Sequence, residues 1–437
     1  MTPKVIIVGA GVGGMATAYR LNQLGIETEI HEASERAGGR IVTLERNGDR
    51  VDVGAQTLHS SYRATIALMK ELGLHEQWRP INGRTCYWVK GKAPWVGGSH
   101  ASFIGPLGLQ GNFALYRLMI EQILLVRRPP LHTICEAGPL DDVSAADFFA
   151  NWRGELLSQY LLPMLCSVMN VATPSFTSVQ HLLHILRISA FTEAFSLPSG
   201  LETFPLALSK RVDITYKSPV EMLFEENGRI AGVKLQSSGE IRRASHVVVA
   251  VAPNAVARLL PPNLISQAQF FESIISTPQP IPIFFLDRPL PDKVFAYLGD
   301  PRRGGKFWFA LNAANKSEEM VPSGRAILTL WTQYPHSVAL DAMSDEAIFE
   351  IALKELPDIV PGFDASWIID RRMQRHRFSH PPYAPGSYRS VLKFKESLES
   401  VRGVSFVSDV FGGAYMESSL RSAEGAVKQI CRWDGLR

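Results

Sequence analysis

The chain has 437 residues, 46% of them hydrophobic and 20% charged, with a formal net charge of +3 at pH 7. That length and apolar fraction support about two domains with sizeable cores. The mild charge, with Arg127-Arg128, Arg242-Arg243, Arg302-Arg303 and Arg371-Arg372 scattered as pairs and no basic helix interleaved with aromatics, argues against nucleic acid as a partner. Four separated cysteines (Cys86, Cys135, Cys166, Cys431) without a C-x-x-C pair argue against a disulfide frame or zinc site and for a reducing compartment.

In chain order, Val5-Ile6-Ile7-Val8 reads as a buried strand, Gly9-Ala10-Gly11-Val12-Gly13-Gly14 as a glycine-rich turn, and about Met15 to Leu24 as a helix. Gly9 permits the tight turn, Gly11 lets backbone amides approach a pyrophosphate, and Gly14 lets the helix pack against the strand. Glu32 follows Gly11 by 21 residues, where a carboxylate takes the ribose hydroxyls of a dinucleotide. The first strand starts at Lys4, which leaves no room for a cleavable signal, so the expected location is the cytoplasm.

The next segment, Glu32-Ala33-Ser34-Glu35-Arg36-Ala37-Gly38-Gly39-Arg40, is followed by Asp52-Val53-Gly54-Ala55-Gln56. Two glycines let the chain pass close to a ligand, and an arginine offers a planar, permanent charge to phosphate oxygens. Phe113–Val126 is an apolar run too short and too interrupted to span a bilayer. Its apolar face is expected to pack on a core, with the mouth of a substrate channel or peripheral contact with a membrane surface as the alternative. Ala145–Phe149, Leu156–Met169 and Ser178–Phe191 show helical spacing. His181 and His184, three apart on the last of these, read as core or pocket imidazoles in preference to a metal pair, since no third ligand suggests itself.

After Pro198-Ser199-Gly200-Leu201, which precedes a short helix, alternating runs from Tyr216 to Leu235 read as a meander, and Val247–Val251 as a buried strand returning to the main sheet. Ile281–Leu286, Phe307–Leu311 and Ile327–Trp331 read as strands and Asp345–Leu356 as a helix. Finally, Ser405–Asp409 reads as a strand ending in an acid, and Gly412-Gly413-Ala414-Tyr415-Met416-Glu417-Ser418 as a loop entering a helix.

These motifs resemble those of the flavin-containing amine oxidase superfamily, which includes monoamine oxidases, protoporphyrinogen oxidases, phytoene-type desaturases and a flavin-dependent fatty acid isomerase. The resemblance covers both ends and the middle of the chain. Ser408 stands where the family has glycine, and Ser418 and Ala423 replace glycines of the last helix. The implied fold is α/β. A discontinuous Rossmann-like FAD-binding domain (residues 1–80, 200–275 and 395–437) carries an inserted α+β substrate domain (81–199, largely helical, and 276–394).

The resemblance implies non-covalent FAD held by Gly9, Gly11, Val12, Gly13, Gly14, Glu32, Ala33, Gly38, Gly39, Arg40, Gly54, Ala55, Gln56, Val220, Asp409, Tyr415 and Met416. Val220 would offer its backbone to the adenine, and the last helix would point its N-terminus at the flavin pyrimidine edge, where negative charge collects on reduction. Cys431 follows the final motif, so a cysteinyl flavin is not expected. Tyr415 and Tyr388 are the candidate substrate-pocket walls, suited to an amine or to flat, unsaturated apolar groups, with core packing as the competing reading for both.

Amine oxidases of the family often carry a lysine in the strand after the returning nucleotide-domain strand. Pro280–Pro289 has none, and so resembles the desaturase and protoporphyrinogen-oxidase branch. The expected activity is therefore FAD-dependent dehydrogenation of a lipid, isoprenoid or tetrapyrrole-like substrate. An amine oxidase releasing hydrogen peroxide, an isomerase of an unsaturated lipid and a non-catalytic flavin scaffold are the rivals.

Overall fold

The computed structural model describes residues 4–433 except 82, 88–94, 98–107, 110, 114–115, 118–119, 121–131, 151–158, 160–161, 164–165, 167–171, 190–191 and 414. At its centre is a five-stranded parallel sheet in the order Ile214–Thr215, Glu27–His31, Lys4–Val8, His246–Val249 and Val404–Phe406. Val5, Ile6 and Ile7 are fully buried because helices and a second sheet cover both faces. Parallel strands covered on both sides read as continuous apolar runs for this reason. Each such side chain contributes roughly 1.5–3 kcal/mol of hydrophobic stabilisation.

On one face the helix Val12–Gln23 packs against the long helix Met416–Trp433, through Met15, Leu21, Ala423, Ala426 and Ile430. On the other, Ile6, Val8, Val247 and Val249 meet the antiparallel meander of Val220–Glu226, Arg229–Leu235 and Ile241–Arg243. An aromatic cluster of Phe271, Phe394, Phe406 and Phe411 extends that core.

A seven-stranded mixed sheet forms the second layer, in the order Ile368–His376, Gln279–Leu286, Ile327–Trp331, Phe309–Asn312, Val294–Leu298, Arg84–Tyr87 and Trp95–Gly97. The helix Asp345–Glu355 covers one face through Ile348, Phe349 and Ala352. The opposite face, with Ile281, Ile283 and Phe285, packs on Val51 and Val53 next to the hairpin Thr43–Arg46/Asp49–Asp52. An ion pair is buried at this junction: Lys316 Nζ lies 2.5 Å from Asp52 Oδ2, and both side chains are nearly sealed from solvent. Asp52 also accepts from the Thr43 hydroxyl and the Leu201 amide, which satisfies the carboxylate. A small sheet of Leu58–His59, Ala194–Ser196 and Arg79–Pro80 closes the molecule nearby.

Three features differ from the sequence reading. The first helix begins at Val12, three residues early, because Gly11 serves as its N-cap and the two following glycines fit inside its first turn against the strand. The strand at Val404 ends at Phe406, and its acid falls instead in a 3-10 turn, Asp409–Phe411, capped by the Ser408 hydroxyl accepting from the Val410 amide. The stretch from Arg84, expected to be largely helical, opens with two strands that extend the seven-stranded sheet. Most of the expected helix Leu156–Met169 and most of Phe113–Val126 lie outside the described residues. Among the described residues no helix is long and apolar enough to cross a membrane.

Candidate cofactor and substrate site

The carboxyl ends of the parallel strands open onto a cavity of about 360 Å³. Ligands of open α/β sheets bind at this edge. The turn after Val8 is possible only because Gly9 takes φ +106°, and a Cβ there would stand 2.7 Å from the Ala250 carbonyl oxygen. Gly11 has no atom within 4 Å of the place a Cβ would occupy, so its surface faces open space. The helix that follows has no side-chain cap and no acid in its first turn. Its N-terminal amides and positive dipole end are therefore available to an anion.

Glu32 closes the neighbouring strand, with Oε2 accepting from the Ala10 amide at 2.7 Å and Oε1 from the Ser34 amide at 2.9 Å. The carboxylate thereby holds the glycine turn and its own loop together. Arg40 and Asp409, from opposite ends of the chain, meet across the cavity with Nη1 2.9 Å from Oδ2. The same guanidinium donates to the Ser379 carbonyl and lies over the Phe378 ring. Gly54 completes the wall, and a Cβ on it would fall 1.9 Å from the Arg40 carbonyl oxygen.

At the far end Tyr415 and Met416 lead into the last helix. They are held by Glu417, which is fully buried and accepts from the Ala64 amide, the Thr65 amide, the Thr65 hydroxyl and Arg421 Nε. One carboxylate thus caps the helix Arg63–Glu71 and ties the start of the last helix to it. The Tyr415 ring lies 6.1 Å from Tyr62 and 6.4 Å, edge-on, from His132. Burial raises its phenol above the ordinary range, so it is neutral.

The cavity gathers Gly9, Gly11, Val12, Gly13, Glu32, Gly38, Gly39, Arg40, Gly54, Ala55, Asp409, Tyr415 and Met416. Five other candidates lie off it. Gly14 packs the helix to the turn, where a Cβ would be 2.2 Å from the Gly9 carbonyl oxygen. Gln56 turns its amide to the Asp52 carbonyl at 2.6 Å. Ala33 follows Glu32 outside the lining, and Val220 opens the meander, two residues after Ser218, whose amide donates to the Glu32 carbonyl.

Tyr388 lines a separate, mostly apolar cavity of about 370 Å³ together with Ile134, Leu183, His184 and Arg187, and its hydroxyl sits 3.2 Å from His181 Nδ1. The two tyrosines therefore face different cavities.

Sequence reasoning missed Trp331, His376, Ser379 and His380, which line the first cavity from the seven-stranded sheet and the loop after it. His376 Nε2 donates to the Val53 carbonyl at 2.6 Å, and burial, with Arg40 nearby, pulls the pKa of His380 down to about 4. No periodic signal marks them, since they sit at a strand end and in a proline-rich loop. Ala250, Val251 and Ala252 were also missed, although the carboxyl end of a buried parallel strand is itself a signal.

The residues present fit FAD: a glycine turn and capless helix end for a pyrophosphate, an acid at the next strand end, an arginine between, and a second helix start at the other extreme of the cavity. When bound there, FAD supplies a two-electron hydride acceptor.

The family model described as "Flavin containing amine oxidoreductase" matches residues 12–431. Protoporphyrinogen oxidase 2 of Arabidopsis thaliana is 26% identical over 179 residues, 41% of this chain and 34% of that protein. Flavin-containing amine oxidase A of Sus scrofa is 33% identical over 116 residues, 26% of this chain and 22% of that protein. The chain therefore spans about a third or less of the length of these relatives. A redesigned putrescine oxidase has the same fold, with a TM-score of 0.78 at 18% identity, over 99% of each chain.

Proposed function

Because this chain belongs to the flavin-containing amine oxidoreductase family, we propose that it is an FAD-dependent dehydrogenase that takes a hydride and a proton from a largely apolar substrate and leaves a carbon–carbon double bond. The observation that carries this reading is the strand Gln279–Leu286, buried along its whole length and without a lysine. The buried lysine of the same sheet, Lys316, is engaged by Asp52. No amine-oxidase-type lysine is thus at hand among these residues. The second cavity is lined mainly by apolar groups, and its size suits part of a lipid, isoprenoid or tetrapyrrole.

This chain's own residues bind, orient and keep water out. Gly11 and the first helix hold the pyrophosphate, Glu32 the ribose, Arg40 a phosphate, and the start of the last helix the pyrimidine edge. Tyr415, backed by the rings of Tyr62 and His132, makes a neutral aromatic wall, which favours hydride loss from an apolar C–H bond over proton exchange with solvent. Oxygen or another acceptor then takes the electrons.

A second reading, oxidation of an amine to an imine with release of hydrogen peroxide, is favoured by that same aromatic wall, which would accommodate an amine lone pair. A third is isomerisation, in which the hydride returns to the substrate. Anaerobic mixing of the purified flavoprotein with amines and with unsaturated or branched lipids tests all three. Bleaching of the yellow band by lipids supports dehydrogenation, and bleaching by amines alone overturns it. Conversion of lipid without consumption of any acceptor identifies an isomerase.

A further inference from the structure

Two helices begin at the cofactor cavity, and their first turns differ in charge. The helix Val12–Gln23 has no acid there, whereas Met416–Trp433 carries Glu417. Met416 and Ser419 line the cavity, and Glu417, between them in the chain, is sealed from solvent. Its four partners are all donors: the Ala64 and Thr65 amides, the Thr65 hydroxyl and Arg421 Nε. An ionised carboxylate, which only accepts, satisfies such a set.

Arg421 Nε lies 2.9 Å from Glu417 Oε1, one turn along the helix, and the arginine side chain is 36% exposed. A carboxylate in the first turn offsets the positive end of the helix dipole. Water and salt screen a buried charge far less than a partly exposed one, so Arg421 cancels only part of the field of Glu417. Both fields reach the wall behind Tyr415. Burial, with Tyr415 and Glu417 adding to it, pushes the Tyr62 phenol up, and burial, with Arg421 and His59 adding to it, pulls the His132 imidazole down to about 3.

We infer that the Glu417–Arg421 pair sets the reduction potential of the flavin. Glu417 holds it down by opposing the negative charge that collects on the reduced pyrimidine edge, and Arg421 limits how far it falls. A lowered potential makes the oxidised flavin harder to reduce and the reduced flavin readier to pass its electrons on. The inference rests on the placement of the pyrimidine edge at the start of the last helix under the proposed function.

Equilibrium of the holoprotein with reference dyes of known potential tests this without any substrate. Glu417→Gln should raise the midpoint potential, moving the reduced-to-oxidised ratio about 10-fold toward reduced, which is about 30 mV for a two-electron couple. Arg421→Met should lower it, by a smaller factor because its charge is partly screened. Arg421→Lys, which keeps the charge and loses the Nε bond, should restore most of the wild-type value. A helix start merely loosened would draw its dipole away from the flavin and lower the potential in all three. Met416→Lys, which puts a cation on the cavity lining itself, checks the placement and should raise the potential.

A folded Glu417→Gln whose potential does not rise, an Arg421→Met whose potential does not fall, or an Arg421→Lys as low as Arg421→Met overturns the inference. The two Arg421 variants decide the matter even if Glu417→Gln fails to fold. A rise in Met416→Lys while the pair variants stay at the wild-type potential sinks the inference and leaves the placement standing. No rise in Met416→Lys sinks the placement, and the inference with it.

Discussion

The two cavities are nearly equal in volume, about 360 and 370 Å³, but they are made of different things. The first is built from backbone: glycines that bring amides and carbonyls into contact, helix ends, and one arginine–aspartate pair. The second is lined by the continuous segment Thr133–Leu140 on one side and, on the other, by side chains from two helices far apart in sequence, among them Leu183, His184, Arg187 and Tyr388. A cavity of backbone suits a ligand common to many proteins, because its contacts do not depend on side-chain identity. One of side chains can be altered residue by residue, so it is where the substrate would be chosen.

Gly54→Ala strikes the contrast hardest. With a Cβ 1.9 Å from the Arg40 carbonyl oxygen the wall cannot close unaltered, and the purified variant should have lost the flavin absorbance of the wild type. Retention of full flavin content would mean the first cavity tolerates side chains as the second does. The junction between the layers comes next. Lys316→Met leaves Asp52 buried without its partner, which should cost about 3–5 kcal/mol. Chemical denaturation would read this, and the double variant Lys316→Met/Asp52→Asn should recover much of the loss.

Acid sharpens the comparison at the second cavity. Burial, with Arg421 and His59 contributing, holds the His132 pKa at about 3, and burial together with His132 and Arg187 does the same for His184. In the unfolded chain a histidine titrates near about 6.5. Between those values the unfolded state binds the proton and the folded state does not, so stability is complete above pH 6.5 and falls as the pH drops toward 3. Each of the two should cost about 2 kcal/mol by pH 5. His184→Leu should flatten the fall in melting temperature between pH 7 and pH 5, and an unchanged slope would place the titration elsewhere.

The smallest effect belongs to Tyr388→Phe, which removes one hydroxyl bonded to His181 and should cost about 1 kcal/mol with flavin content unchanged. A loss of flavin would put Tyr388 on the wrong cavity.

The same contrast explains what the sequence disclosed. Gly9, Gly11, Gly38, Gly39 and Gly54 stood out as a pattern; a Cβ at Gly9 or Gly54 would collide with backbone, whereas Gly11 keeps a surface open, and Glu32 stood out because a strand and a helix fix its distance from the turn. The parallel sheet was legible in the apolar runs Val5–Val8 and Val247–Val249, which are buried on both faces. His376 and His380 were not, since nothing local distinguishes an imidazole lining a cavity from one packed in a core. Nothing in the sequence marks Glu417 as buried; three donors on the helix Arg63–Glu71 and Arg421 on its own helix reveal a buried clamp. The strands Arg84–Tyr87 and Trp95–Gly97 went unread because short strands owe their existence to the neighbours they pair with.

The contact between Arg40 and Asp409 has a bearing on how the protein is made. The strand Val404–Phe406 lies at the sheet edge beside His246–Val249, and the helix Met416–Trp433 seals the first helix. While the ribosome is still short of residue 433, the nascent chain carries an unsealed nucleotide cradle and an apolar strand with one bare edge. Such an edge is a template for mispairing with other chains. A chain clipped before residue 404 lacks Asp409 and the helix Met416–Trp433, the partners of Arg40 and of the first helix, and should therefore lose its hold on flavin.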